Sequence, residues 1–313
     1  MDFWVSSIIS GIFYDLIKAG LKITVQEINR KIDYVYIDPY VLQELIDEVN
    51  NAKNEYEKNR IVQDSFSEPN QITNYLENNL FPTNFAKRLE YVISEINCGV
   101  KDKKYKYNTE RIADFLGYDS VNELKKYYIN SNEPDYTTID FIAGKMGVNA
   151  DWFKFGNGEP FETNLPWLHD ATEIFKNSSM VEEYCFAMLD VAVRPELVVI
   201  RKINEIKYDF FPRPFTFHAD VGAGGQYELL TVYQMLKRLN QENRMPLGVY
   251  KMKENRFNDL LSGKMYPGMV IDEEYCNYLL DDFISFNEEK ISKYLEWYGS
   301  AFVNAGKCVL EQL

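Results

Sequence analysis

The chain has 313 residues, 46% hydrophobic and 15% aromatic, enough apolar material for two or three packed units and too much for a disordered segment. Its formal net charge of -14 excludes broad non-specific affinity for nucleic acid or anionic lipid, since both need a positive footprint; any such contact must come from a local patch. The four cysteines, Cys98, Cys185, Cys276 and Cys308, form no Cys-x-x-Cys pair, so they point to neither a zinc site nor a disulfide framework and fit a reducing cytoplasm.

Phe3 to Ile17 is strongly apolar, but Asp15 and Lys18 cut the run short of the roughly 20 residues that span a bilayer, and the start of the chain carries Asp2 and no basic leader. The expectation is a helix that docks on the rest of the chain, with self-association as a variant; the alternative is an interfacial or oligomerising membrane helix helped by Ser7 and Gly11 four apart, and no integral membrane insertion is expected. Val41, Leu42, Leu45, Ile46 and Val49 recur on one helical face, and the polar run from Asn51 to Arg60 reads as an exposed helix end or linker. Pro69 opens a further helix through Ile72, Tyr75 and Leu76 that Phe81-Pro82 breaks. Leu89, Val92, Ile93 and Ile96 then follow at helical spacing. After them, Lys101-Asp102-Lys103-Lys104-Tyr105-Lys106 is either a phosphate-contacting patch or a solvated linker.

Thr109 to Gly117 reads as a short helix with Ile112, Phe115 and Leu116 on one side and a glycine suited to a left-handed C-terminal position. Asp119 or Ser120 caps the next helix, whose buried stripe is Val121, Leu124 and Tyr128 and whose end is Asn130. Pro134 confirms the break. Tyr136, Ile139, Ile142, Ala143 and Met146 mark another helix that stops at Gly147. Trp152, Phe155 and Phe161 follow as aromatics expected to dock on these helices.

This stretch resembles the lambda-repressor-like helix-turn-helix family, also called Cro-like or xenobiotic-response-element-type. The family pairs a small residue with a turn glycine as Ala113 and Gly117 are paired here, opens its recognition helix with a Ser such as Ser120, and keeps an aliphatic residue and an aromatic where Leu124 and Tyr127 stand. Asn130, Pro134, Ile142-Ala143, Gly147-Val148 and Asp151-Trp152 before Gly156 continue the match, which covers roughly a sixth of the chain. The resemblance implies a recognition helix from Ser120 to Ile129 that meets double-stranded DNA, with Asn122, Lys125 and Lys126 facing the groove and Ser120 near a phosphate. Asp119 and Glu123 oppose that role by charge, and Thr109 or Glu110 stands where the family often has Gln. A helical module kept for packing or protein contact therefore stays open beside the DNA reading.

Beyond Pro166 the pattern changes. A helix is expected from Ala171 to Val193, then strands at Glu196 to Ile203, Ile206 to Phe211 and Phe215 to Val221, with Pro195, Pro212 and Pro214 as breaks. Gly222-Ala223-Gly224-Gly225 leads into a helix from Gln226 to Leu239, and Met252 to Met269 reads as a connecting helix and loop. Glu273 to Leu313 reads as helix, with Tyr275, Leu279, Leu280, Phe283, Ile291, Leu295 and Trp297 as its buried set.

The glycine turn lacks a following Lys-Ser or Lys-Thr and the dinucleotide spacing, so a tight strand-to-helix turn is favoured over a phosphate loop. His218 and His169 are the only histidines, which leaves no Ser-His-Asp or Cys-His arrangement. Glu205-Ile206-Lys207 with Asp190 matches the acidic-plus-lysine set of metal-dependent nucleases, a triplet common by chance. No catalytic residue, cofactor or metal ligand is assigned and there is no positive case for an enzyme. The expected protein is mostly α: an N-terminal helical region (1–83), a helix-turn-helix domain (84–163) and a C-terminal α+β domain (164–313) with a small sheet and terminal helices. Its expected function is a cytoplasmic DNA-binding transcriptional regulator whose flanking regions dimerise or sense, acting as a homo-oligomer or with a protein partner. The alternative is an interaction scaffold of a bacterial toxin-antitoxin or phage-defence assembly that does not bind DNA.

Overall fold

The computed structural model describes residues 4–18, 20, 23, 28, 39–66, 83–98, 100, 105–129, 133–176, 181–246 and 248–313. The helix expected after Pro69, its break at Phe81-Pro82, Lys101 to Lys104 and the helix-ending Asn130 lie outside these described residues. The chain is mostly helical with one small mixed sheet, and it divides into two compact units: Met1–Ile93 with Tyr107–Asp135, and Ser94–Lys106 with Tyr136–Leu313. The division runs within the 84–163 stretch, after Asp135.

In the first unit, α1 (Trp4–Lys18) and α2 (Pro39–Asn51) each pack on α3 (Glu55–Phe66). Phe13 and Leu16 of α1, Leu45, Ile46 and Val49 of α2 and Val62 of α3 are buried, so the three- and four-residue apolar spacing of the sequence does mark the inward faces. The Asn50 side chain clamps Ile23 from both sides: its Oδ1 accepts from Ile23 N–H at 3.0 Å and its Nδ2 donates to Ile23 O at 2.7 Å. No helix among the described residues is long and apolar enough to cross a membrane. The same unit holds α4 (Asn84–Cys98) as far as Ile93, α5 (Thr109–Leu116) and α6 (Asn122–Ile129).

Beyond Ser94–Lys106, the second unit continues with α7 (Tyr136–Met146) and α8 (Ala150–Phe155), which pack on each other. Ile139, Ile142, Ala143 and Met146 are buried as their spacing predicts. Gly147 ends α7 at φ 72°, where a Cβ would also stand 2.9 Å from Lys207 Cγ. Asn149 caps α8 by accepting from Asp151 and Trp152 N–H, and Gly156 closes it in the left-handed region. Trp152 and Phe161 are buried, the latter against Tyr266 at 5.4 Å between ring centroids. Phe155 departs from expectation: it is 54% exposed, with its ring edge-on to Tyr136.

The sheet has the order β3-β2-β1-β5-β6, with β4 also on β2. Its strands are β1 (Glu183–Leu189), β2 (Glu196–Lys202), β3 (Tyr208–Phe210), β4 (Phe215–Thr216), β5 (Val249–Met252) and β6 (Glu274–Cys276). The β1–β5 pair is parallel and the others are antiparallel. Helices cover both faces. Tyr184, Phe186 and Met188 with Leu197 and Val199 join the core built with α9 (Ala223–Gln241), α11 (Leu279–Ile284) and α12 (Ile291–Leu310). Cys185, Ala187, Val198 and Ile200 point the other way, toward Phe257 and Leu260 of α10 (Glu254–Leu261).

Burial on both faces accounts for the largest correction. The helix expected from Ala171 to Val193 is a 3-10 turn, Ala171–Phe175, followed by β1. A central strand covered on each side has apolar residues at every position, so no period of two distinguishes it from a helix. The strand expected from Ile206 to Phe211 shortens to Tyr208–Phe210 because Asn204 Oδ1 accepts from Ile206 and Lys207 N–H at 2.9 and 2.6 Å, holding those two residues in a turn. Phe215 to Val221 is strand only at Phe215–Thr216. The strand β5 falls on a stretch to which no element was assigned, apart from Met252, while β6 stands where the start of a helix was expected, and Tyr275, Leu295 and Trp297 are exposed rather than buried.

Candidate nucleic-acid interface

The segment that resembles a DNA-reading element is built from α5, its turn and α6, with α4 beneath. Asn108 starts α5 by accepting from Arg111 N–H at 2.9 Å. Gly117 stands at φ 79° and ends the helix: its N–H reaches Asp114 O at 2.9 Å while Tyr118 N–H reaches Ala113 O at 3.0 Å. This paired Schellman closure satisfies two terminal carbonyls and redirects the chain toward α6. Ser120 Oγ then accepts from Asn122 N–H at 3.2 Å, so the serine acts as the expected helix-start residue.

The inner face of α6 is fixed on α4. Leu124, Tyr127 and Tyr128 are buried, and Tyr127 meets Phe85 edge-to-face at 5.6 Å. Tyr128 donates to the Glu90 carboxylate at 3.4 Å, and burial together with that carboxylate holds its phenol well above the ordinary tyrosine range. Thr83 Oγ1 donates to Tyr127 O at 3.3 Å, while Glu133 accepts from the first N–H groups of α4 at Asn84, 2.8 Å, and Phe85. A carboxylate there satisfies free donors and complements the helix dipole. Tyr118 is pushed up to about 12 by its burial and then by Tyr127, Glu123 and Asp135.

With that face occupied, Asn122, Glu123 and Lys126 project to solvent and Ser120 is also exposed. Lys126 Nζ lies 4.8 Å from the Tyr127 ring centroid. Lys125, expected beside them in a groove, is instead half-buried and ion-paired with Glu110 at 2.7 Å. That hydrogen bond holds the Glu110 carboxyl below its ordinary range and ties α6 to α5. Across Thr109 to Ile129, four carboxylates (Glu110, Asp114, Asp119, Glu123) stand against three cations (Arg111, Lys125, Lys126). The Lys125 partner was out of reach of sequence reasoning because it sits on the preceding helix.

The other sequence candidates lie in the second unit and are spent separately. Lys207 Nζ donates to Gly144 O at 3.0 Å, while Asp190 lies 3.9 Å from Lys251. The Gly222 turn starts α9, and a Cβ at Gly225 would stand 2.6 Å from the Val221 side chain, which explains that glycine by packing. His218 is buried, and burial with the nearby Arg194 keeps its imidazole below the usual range. No protein-family model, curated protein or solved structure matches the chain.

Proposed function

We propose that α5 and α6 are a helix-turn-helix pair of the lambda-repressor-like kind and that the protein is a DNA-binding transcriptional regulator. The observation that carries this reading is the outward face of α6: Asn122 and Lys126 are exposed on a helix whose opposite face is fixed by Leu124, Tyr127 and Tyr128. Asn122 then reads a base edge, with Lys126 and Ser120 at the phosphates, while Lys125 positions α6 through Glu110. The remaining regions supply self-association or sensing, in the cytoplasm.

The acidic balance sets the binding regime. Each phosphate neutralised contributes a slope of roughly -0.9 to log K against log salt, so few cations mean weak non-specific binding and a shallow salt dependence. Selection from a random-duplex pool with the full chain at moderate salt tests the reading. One motif should enrich, and Asn122→Ala should relax preference at one base pair by roughly 1 to 3 kcal/mol. Enrichment of no motif would remove it.

The exposed carboxylates Glu110, Asp114, Asp119 and Glu123 favour a second reading, a protein-interaction scaffold of a toxin-antitoxin or phage-defence assembly. Under that reading Lys126→Glu leaves every duplex interaction unchanged because there is none to lose.

A further inference from the structure

A second candidate site lies at the far end of the chain, on two short helix faces that confront one another. Tyr278, Asp281 and Asp282 are spaced i, i+3, i+4 around the start of α11, and Lys290, Lys293 and Trp297 are spaced i, i+3, i+7 along the start of α12. Together with Asn277 and Tyr298 they line one cleft of about 560 Å³, within the size range of small-molecule sites.

The cleft has a fixed floor and uncommitted walls. Tyr298 donates to Asp282 at 2.7 Å and approaches Asn277 O at 3.4 Å, and its ring packs on Phe302 at 4.7 Å and Tyr294 at 6.3 Å. Asp282 is therefore occupied in holding the floor. The walls are different: Trp297 and Tyr278 are 53% and 55% exposed, large aromatic surfaces left to water. Tyr278 also stands at φ 61°, a backbone region that costs a side chain as bulky as tyrosine and that tends to persist where a site uses it. Neither Lys290 nor Lys293 has an ion-pair partner among the described residues, although the chain has 14 more acidic than basic side chains. The carboxylate of Asp281 likewise makes no ion pair there.

A ligand that uses all of these groups needs a flat π-surface, an anionic end and a hydrogen-bond donor away from that end. A simple anion would leave the rings unused, and a neutral aromatic would leave the lysines unused. We propose that this cleft binds a mononucleotide: its base stacks on Trp297 beside Tyr278, its phosphates meet Lys290 and Lys293, and Asp281 accepts from a ribose hydroxyl or base N–H. The inference stands on the second unit alone and is independent of whether α6 meets DNA.

Isothermal titration of the full chain with ATP, AMP, adenosine and inorganic tripolyphosphate tests it. ATP should bind saturably and more tightly than adenosine or tripolyphosphate. Trp297→Ala should weaken ATP roughly 5- to 150-fold, the span equivalent to one base-stacking contact. Lys290→Ala with Lys293→Ala should weaken ATP about tenfold or more while leaving adenosine unchanged. All three positions are exposed, so circular dichroism melts should be unaltered, and Trp297→Phe should keep most of the affinity. The absence of saturable binding by any nucleotide at millimolar concentration would overturn the proposal. So would tripolyphosphate binding as tightly as ATP with no loss in Trp297→Ala, which would make the lysines a plain anion patch.

Discussion

Glu228 gives the sharpest test of how the second unit is held together. It is 3% exposed on α9, yet it carries a carboxylate whose two oxygens are both spent: Oε1 accepts from the Arg213 guanidinium and Oε2 accepts from Thr216 N–H at 3.1 Å. Arg213 in turn donates to Leu168 O at 3.0 Å, so one buried acid joins α9, β4 and the segment before the 3-10 turn. Glu228→Ala removes the acceptor of Thr216 N–H, about 1 to 3 kcal/mol for a buried orphan. It also leaves a guanidinium without its counter-charge; breaking a buried pair costs roughly 3 to 5 kcal/mol. The Arg213 side chain keeps a quarter of its exposure and can recover some water, so the lower end, about 3 kcal/mol in total, is expected. Glu228→Gln keeps an acceptor for Thr216 and should lose about 1.5 kcal/mol. Replacing both partners, Arg213→Met with Glu228→Leu, should recover much of the single-variant loss, because neither partner is then left charged and unpaired. Urea unfolding followed by tryptophan fluorescence reads all three. A loss below about 1 kcal/mol for Glu228→Ala, or a double variant as unstable as Glu228→Ala, would refute the reasoning.

Trp152→Ala should destabilise by about 3 to 5 kcal/mol because its ring is almost wholly buried, while Phe155→Ala, more than half exposed, should change stability by less than about 1 kcal/mol; calorimetric melting of each separates the two. Gly299 interrupts α12 at φ 84° and ψ 178°, a region open essentially to glycine alone, with nothing within 4 Å of a built Cβ. Gly299→Ala should therefore cost about 1 to 3 kcal/mol from torsion without a clash, and an unchanged urea midpoint would contradict this. For Glu110 the folded pKa lies below the unfolded one, so its pairing with Lys125 stabilises above the ordinary carboxylate range and is lost as pH falls through the lowered value. The pair is only partly exposed but still solvent-screened, so Lys125→Met should cost about 1 kcal/mol at pH 7, with the difference from the parent shrinking toward pH 3 in paired urea titrations.

What the sequence made legible was local. Gly117 and Gly147 announced two helix ends because a left-handed residue is chosen within one turn of the helix it closes. Ile139, Ile142, Ala143 and Met146 announced a buried face because solvent lies on the opposite side of α7. The sheet was harder for a physical reason. β1 lies between β2 and β5 and is covered by α9 and α10 on opposite faces, so Tyr184 to Met188 are all apolar or sulfur-bearing and carry no alternation. Its parallel partner β5 is four residues long and is specified by pairing with β1, a contact that local propensity cannot encode.

The two candidate sites failed to read from sequence in opposite directions, and both failures concern who sits across from a side chain. Lys125 has the type and spacing of a groove-facing cation, yet Glu110 on the preceding helix takes its charge, leaving Asn122 and Lys126 to present the outward face of α6. Trp297 has the type and spacing of a core residue, yet the chain places it on the cleft side of α12, while Tyr294, Phe302 and Val309 fill the interior. Helical periodicity fixes which residues share a face but not what that face meets. The exposure of a tryptophan at a position patterned for burial is therefore informative. Burying it would commonly stabilise by about 2 to 3 kcal/mol, and a chain that forgoes this beside two lysines with no ion-pair partner among the described residues has left a surface whose chemistry a stacked, anionic ligand would complete.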